Sequence, residues 1–390
     1  MLIIERIIEE ALERDASDIH LLPFLKPILR IHKSLMESED IEEPMDIDAL
    51  YDIYDYIVNG DVYKDETYKS TRKLDTALAY KDIRLRVNVS FTDEIPVFTM
   101  RIIPNTLPTY EELGLPDIIR RMTYQPQGLM LVTGKTNSGK TTTLNALIDE
   151  INQKQNKKIL TLEAPVEYKH TSNKSIIVQK EVGRGKDCLS FHDGVKNALR
   201  EDCDILVIGE IRDKETMQAG IEMAESGHLV IGTLHTKSCA ETIDRMINFY
   251  DVKDQTQVKT LLSGLLKLVV SQRLLKAANG KGLVLVPEVM VVDNTVAASI
   301  RKEKFSVSEI EDAIQSNLDK GSIGLMNSLA NLYIDKKLSL EMCKAQIEEK
   351  NYEVFSRIVS QARRKANQEL YSSTEEHSKI HFDEDENDEY

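Results

Sequence analysis

The sequence predicts a mixed α/β protein: a small N-terminal α+β part with an antiparallel sheet, a larger part with a mainly parallel sheet, and helices at the C-terminal end. Three observations carry this expectation. Residues 83–91 alternate, with Ile83, Leu85, Val87, Val89 and Phe91 on one face and Arg84, Arg86, Asn88 and Ser90 on the other, the period of a strand with one buried face. Beyond residue 116 come short apolar strands (129–133, 159–162, 205–209 and 229–233) separated mostly by helical or polar stretches. That pattern reads as a largely parallel sheet covered on both faces. From about residue 307 the apolar spacing is helical.

Taken in order, residues 2–14 place Ile3, Ile4, Ile7, Ile8, Ala11 and Leu12 on one helical face. Segments 19–22 and 28–32 are short strands separated by prolines. Residues 46–58 are helical, with Ile47, Leu50, Ile53, Tyr54 and Ile57 as the buried stripe, and 74–80 is a strand. The alternating strand is followed by 97–103, where Phe98, Met100 and Ile102 face one side and Arg101 the other. From the pattern alone, the face with Arg84, Arg86 and Arg101 is a solvated sheet face. Segment 104–116 has three prolines and reads as a linker. Gly321 and Gly324 punctuate the C-terminal part, with later helices at 325–334 and 340–347. The end is polar, then acidic, and reads as a disordered tail. The expected division is therefore 1–103, linker 104–116, core 117–305, helical region 306–366 and tail 367–390.

The chain has 390 residues, room for two or three domains. Its formal charge is −15; six carboxylates lie in 383–389, leaving about −9 for the rest. Nonspecific nucleic-acid binding needs a basic footprint, so none is expected. The four cysteines form no C-x-x-C pair and suit a reducing cytoplasm, mostly as small buried residues. The N-terminus is charged too early for a signal peptide. No apolar run reaches the roughly 18–20 residues of a membrane span; the most apolar stretch, 261–275, is broken by Lys267 and Arg273. A soluble cytoplasmic protein is expected, meeting a membrane only through a partner.

The chemistry starts at residues 128–148, GLMLVTGKTNSGKTTTLNALI. Gly134, Lys135, Thr136, Asn137, Ser138, Gly139, Lys140, Thr141 and Thr142 fit G-x-x-x-x-G-K-[ST], the phosphate-binding loop, with an apolar strand before it and helical spacing after it. The glycines let consecutive N–H groups point at phosphate oxygens, and the helix that follows adds its positive end. Lys140 would reach the outer phosphates and the Thr141 hydroxyl would hold Mg²⁺.

Hydrolysis needs carboxylates near the phosphates, at the carboxyl ends of neighbouring strands. Strand 205–209 ends directly in Glu210 and strand 159–162 in Glu163. Each alone reads as an ordinary strand-end acid; the loop upstream shifts the reading towards function. His228 and His235 bracket strand 229–233. A lone histidine is more often structural, but here a γ-phosphate sensor would sit near such a strand.

With these residues in view, the sequence resembles the secretion and type IV pilus ATPases over about residues 10–350. The resemblance rests on ASDIH at 16–20, the phosphate loop, LEAPVEY (the Asp box), LREDCDILVIGEIRD at 199–213 (the Walker B segment) and SGHLVIGTLHT at 226–236 (the His box). It implies a PAS-like N-terminal domain, a RecA-like P-loop NTPase core, ATP and Mg²⁺ as cofactors, a homohexamer, and an inner-membrane pilus platform protein as partner. It assigns water activation to Glu210, the metal side to Glu163 with Thr141, a link from the γ-phosphate site to the neighbouring subunit to His228, and nucleotide contact to Arg86 and Arg101. The arginines thus change from a solvated face to a functional one.

Within the family the likeness is to PilT-like retraction ATPases: the chain starts almost at ASDIH, lacks a four-cysteine zinc segment and ends in similar helices. There are departures. Ala164 replaces the Asp box aspartate, Lys135 and Asn137 replace proline and glycine, and the retraction AIRNLIR segment is TVAASIR at 295–301. Asn137 fits if the backbone there is left-handed. The expected function is a hexameric motor of pilus retraction. The rivals are an extension, type II secretion or DNA-uptake motor and a weakly hydrolysing regulatory subunit.

Overall fold

The computed structural model describes residues 2–31, 34–81, 83–103 and 107–364. The expected tail at 367–390 and the first residues of the expected linker lie outside these. The chain divides into two compact units, Met1–Glu112 with Leu144–Gly232, and Leu113–Thr143 with Thr233–Tyr390.

The N-terminal elements are α1 (Ile3–Glu13), β1 (Ala16–Leu21), β2 (Ile28–Ile31), β3 (Ser34–Glu37), α2 (Ile47–Val58), α3 (Val62–Thr71), β4 (Lys73–Tyr80), β5 (Ile83–Thr92) and β6 (Ile95–Ile103). Helix α1 buries Ile4, Ile7, Ile8 and Ala11 of the predicted stripe, while Ile3 is half-buried and Leu12, in its last turn, is exposed. Helix α2 starts where Asp46 accepts the Ala49 N–H, and stops at Asn59, which is left-handed. The six strands form an antiparallel sheet in the order β3-β2-β1-β6-β5-β4. Its register sets Arg86 directly opposite Arg101, and Asp18 between Arg101 on one side and Arg30 on the other. Helix α3 and strand β3 escape sequence reasoning for one reason: α3 buries only Tyr68, and β3 is an edge strand with every residue exposed. Neither has a buried stripe to leave a period.

The rest contains α4 (Asp117–Met122), β7 (Gly128–Gly134), α5 (Lys140–Lys154), β8 (Lys158–Glu163), β9 (Ile176–Glu181), α6 (Phe191–Ala198), β10 (Ile205–Ile208), α7 (Lys214–Glu225), β11 (Leu229–Leu234), α8 (Cys239–Asn248), α9 (Val252–Leu265), β12 (Leu266–Lys276), β13 (Leu283–Val291), α10 (Asn294–Arg301), α11 (Val307–Ser316), α12 (Leu325–Ile334) and α13 (Leu340–Lys344). The second sheet has the order β13-β12-β7-β11-β10-β8-β9. Strands β8, β9, β10 and β11 run parallel, as do β7 and β12, and β13 is antiparallel to its neighbour β12. Strands β7, β10 and β11 are buried throughout, which explains their unbroken apolar sequences. The apolar stretch 261–275 resolves into the end of α9 and most of β12, since an apolar run does not by itself distinguish helix from strand. All four cysteines are free and buried. No helix among the described residues is long and apolar enough to cross a membrane.

The C-terminal helices pack through their own apolar cluster. Leu275 of β12 and Val286 of β13 meet Leu329, Ala330, Leu338, Cys343, Phe355 and Val359 there. Helix α10, the TVAASIR segment, is fixed at both ends. Asp293 caps it by accepting from the Thr295 and Val296 N–H groups, and also binds Asn317 Nδ2 and the Lys320 ammonium. At its other end Lys259 of α9 donates to the Lys302 and Glu303 carbonyls at 2.9 and 2.8 Å, and Arg301 donates to Ser263.

Candidate nucleotide-binding site

The loop after β7 has the backbone its sequence demands. Gly134 has φ +149°, and a Cβ there would lie 2.3 Å from Ser138 Oγ and 2.6 Å from the Gln272 carbonyl, so no side chain fits. Asn137 has φ +62°, the left-handed backbone that makes asparagine an acceptable substitute for glycine. The Ser138 hydroxyl is buried without a hydrogen-bond partner. Lys140 is buried, and its Nζ donates to the Gly134 and Lys135 carbonyls at 2.9 and 3.1 Å. The same Nζ lies 3.3 Å from Nδ1 of His235, just beyond the end of β11.

A chain of hydroxyls holds the segment after His235. Thr236 Oγ1 meets Thr242 Oγ1 at 2.7 Å, and Thr242 reaches Thr133 of β7 at 3.3 Å. On the other side of the loop helix, Gln272 Nε2 of β12 donates to Thr143 Oγ1 at 2.7 Å. Periodicity does not mark these positions. The one available signal was a polar pair, Gln272 and Arg273, inside an apolar run.

The carboxylates belong to β8 and β10. These strands pair in parallel with Ile208 beside Leu162, and the Gly209 N–H extends the ladder to the Leu162 carbonyl at 2.8 Å. A Cβ on Gly209 would lie 2.8 Å from that carbonyl, so glycine is what permits the close approach. Glu163 and Glu210 therefore leave adjacent strands at the same edge. Glu163 is 6% exposed and accepts from Thr161 Oγ1 at 2.7 Å and Gln179 Nε2 at 3.1 Å. Burial raises its pKa; the two hydrogen bonds work against that shift. A buried carboxylate held this way is a hard-oxygen donor of the kind that magnesium takes from protein. Glu210 is paired with Arg212 at 2.6 Å, a partner the sequence reading missed.

Residue His228 stands at the amino end of β11, and its Nδ1 lies 3.0 Å from Ser226 Oγ and 3.1 Å from the Met223 carbonyl. His228 and His235 are thus separated by a whole strand, roughly 20 Å at about 3.3 Å per residue. Arg86 Nη1 lies 3.9 Å from Glu167, and Arg101 Nε donates to Asp18 at 2.9 Å. Burial raises the Glu167 pKa, with the charges of Arg86 and Arg101 pulling it back down. Asp18 also feels burial, but its hydrogen bonds from Ser17 and Arg101 outweigh it and hold its carboxyl below the usual range. Both acids are counter-charges to the arginine pair; they lie within the ASDIH and LEAPVEY segments, where sequence reasoning assigned them no role.

A strand, a left-handed glycine loop closed by a lysine, and a helix, set in a mainly parallel sheet with acids at strand tips, define a phosphate-loop nucleotide-binding protein of the α/β class. The sequence model for the type II/IV secretion system proteins matches residues 1–379, and the chain belongs to that family. It is 38% identical over 315 residues to the type IV pilus retraction ATPase PilT of Pseudomonas aeruginosa, covering 80% of this chain and 88% of that one. It is 35% identical over 312 residues to a twitching motility protein of Neisseria gonorrhoeae, covering 80% and 81%. The crystal structure of the pilus retraction motor PilT with bound ADP superposes with a TM-score of 0.81 at 34% identity, covering 90% of this chain and 99% of that chain.

Proposed function

We propose that this chain is an ATP-hydrolysing motor of a type IV pilus system and drives pilus retraction. The observation that carries the reading is the likeness, over nine tenths of the chain, to a retraction motor solved with ADP, joined to an intact phosphate loop with Lys140 at its closing turn. In this reading residues 1–103 form the nucleotide-closing domain and 117–305 the ATPase core.

The roles follow from the chemistry. Backbone N–H groups from Gly134 to Thr142 cradle the phosphates. The Lys140 ammonium, now bound to neutral carbonyls of its own loop, moves to the more negative β- and γ-phosphate oxygens. Mg²⁺, held by the Thr141 hydroxyl and Glu163, would neutralise phosphate charge. Glu210 accepts the proton of the attacking water once Arg212 gives way. Arg86 and Arg101 supply a guanidinium fork to the spread charge of the transferring phosphoryl group. His235 serves the phosphate side at Lys140, while His228, at the other end of its strand, serves the boundary with a neighbouring subunit. Six copies in a ring, closing in sequence against a membrane platform protein, would turn hydrolysis into pilin removal.

Deletion of the coding sequence in the source organism tests the reading. Surface pili should become more numerous and twitching should stop. A bald strain would mean an extension motor, the alternative favoured by the altered TVAASIR segment.

A further inference from the structure

Four successive residues of β12 serve both the nucleotide loop and the C-terminal helices. Gln272 binds Thr143 on the loop helix. Leu274 lies beside Gly139, where a Cβ would come within 3.3 Å of its Cδ1. Leu275 belongs to the apolar cluster of the C-terminal helices. Arg273, between them, is a bridge. Its Nη2 donates to the Lys237 carbonyl at 3.3 Å, and its Nη1 donates to the Gln346 carbonyl at 3.3 Å and to Gln346 Oε1 at 3.4 Å. Lys237 follows His235 by two residues; Gln346 lies in the turn after α13.

A guanidinium is planar and its donors have fixed directions, so the two acceptors it joins are held at a fixed spacing. The same loop is held from β13 as well. Glu288, 7% exposed, accepts the Cys239 N–H at 3.2 Å at the first turn of α8. Glu288 also lies near enough to Arg273 for each to act electrostatically on the other. The loop between His235 and α8 is therefore pinned to β12, to β13 and, through Arg273, to the C-terminal helices.

We propose that Arg273 is a positioning residue for ATP hydrolysis: it fixes the loop that presents His235 to Lys140 and makes the setting of that loop depend on the packing of the C-terminal helices. This rests on the reading that His235 serves the phosphate site. The chemistry of Lys140 and its loop is untouched by the bridge, so nucleotide affinity should survive its loss while turnover does not. A lysine at 273 would keep the charge beside Glu288 but lose the fork, since one ammonium does not span both acceptors in the same geometry.

The test uses the full-length protein. Arg273→Lys and Arg273→Gln should each lower kcat about tenfold or more, with KM for ATP and binding of a fluorescent ATP analogue within about twofold of wild type. Phe355→Ala, which loosens the C-terminal cluster, should also lower kcat, but should add little in the Arg273→Gln background. Fully multiplicative losses in the double variant would overturn the link to the C-terminal helices. A kcat within twofold for both Arg273 variants, with His235→Ala inactive, would overturn the positioning role. A loss of kcat matched by an equal loss of nucleotide-binding sites would reduce Arg273 to a stability residue and also overturn it. Normal turnover by His235→Ala would instead remove the reading on which the proposal stands.

Discussion

Lys140 and His235 meet at 3.3 Å, Nζ to Nδ1, although 95 residues separate them in the chain. A lysine ammonium can only donate, so Nδ1 of His235 is the acceptor in this contact. The loop lysine and an imidazole thus share one corner.

The first prediction follows from that contact. His235→Ala should keep ATP binding within about threefold and lose turnover by about 10²-fold, the scale for removing one preorganised donor from a developing charge. Lys140→Ala should lose binding itself. Binding by fluorescence and phosphate release measured on the same samples separate the two. Full turnover by His235→Ala would leave the contact without a catalytic meaning.

Glu210 and Glu163 leave adjacent strands but live in different surroundings: Glu210 pairs with Arg212, and Glu163 is buried among neutral donors. Glu210→Gln should retain ATP binding and lose turnover by about 10²–10⁴-fold, as expected for a missing general base. Substantial hydrolysis by this variant would move the base role to Glu163.

Like charges directly opposite on neighbouring strands repel, yet Arg86 and Arg101 are register partners. Arg86→Ala and Arg101→Ala should each sharply lower hydrolysis. Arg101→Ala should also lower the melting temperature, because it removes a hydrogen-bonding partner of the buried Asp18. If the arginines act within a closed ring, specific activity rises with protein concentration. Constant specific activity from a protein that stays monomeric by light scattering with ATP present would sink the ring.

Burial pushes the Glu288 carboxyl up to about 7, against the Cys239 hydrogen bond and the Arg273 charge. Its folded-state pKa exceeds its unfolded value near 4.5, so the folded chain binds the proton more tightly. The contribution is complete below pH 4.5, is lost as pH rises towards 7, and stays lost above it. The scale is on the order of 3 kcal/mol. Urea unfolding from pH 4.5 to 8 should show this decline, and Glu288→Gln should flatten it. An unchanged slope in the variant would show that another group titrates.

In α10, Ala297 is 7% exposed, whereas Ala298 is exposed. Restoring the retraction-type arginine at 297 would overpack the helix face, a cost of about 1–3 kcal/mol. The separable change is Ala298→Asn with Ser299→Leu, which should leave turnover within about twofold, under roughly 0.5 kcal/mol on the barrier. Pilus counts in the complemented deletion strain then report coupling alone. Abolished hydrolysis would place α10 within the chemistry.

Buried stripes and strand tips were legible in the sequence because burial writes a period. The alternation at 83–91 gave β5, and the unbroken apolar runs gave β7, β8, β10 and β11. Asn137 was legible as a left-handed position, which its φ of +62° bears out. Contacts fixed by register and by loop closure were not. Nothing in the sequence places Arg86 opposite Arg101, sets His235 rather than His228 beside Lys140, or makes counter-charges of Asp18 and Glu167. Those pairings arise only when separate elements meet.

Asp293 grips one end of α10 together with Asn317 and Lys320, and Lys259 grips the other through two carbonyls. A rod clamped at both ends behaves as a strut: it passes on a displacement without bending or fraying. Load arriving at the end of β13 would reach α9 and the turn after α11 with little lost to slack. The ends of this helix are therefore held by polar side chains, Asp293 and Lys259 chief among them, in addition to its buried apolar face of Val296, Ala297 and Ile300.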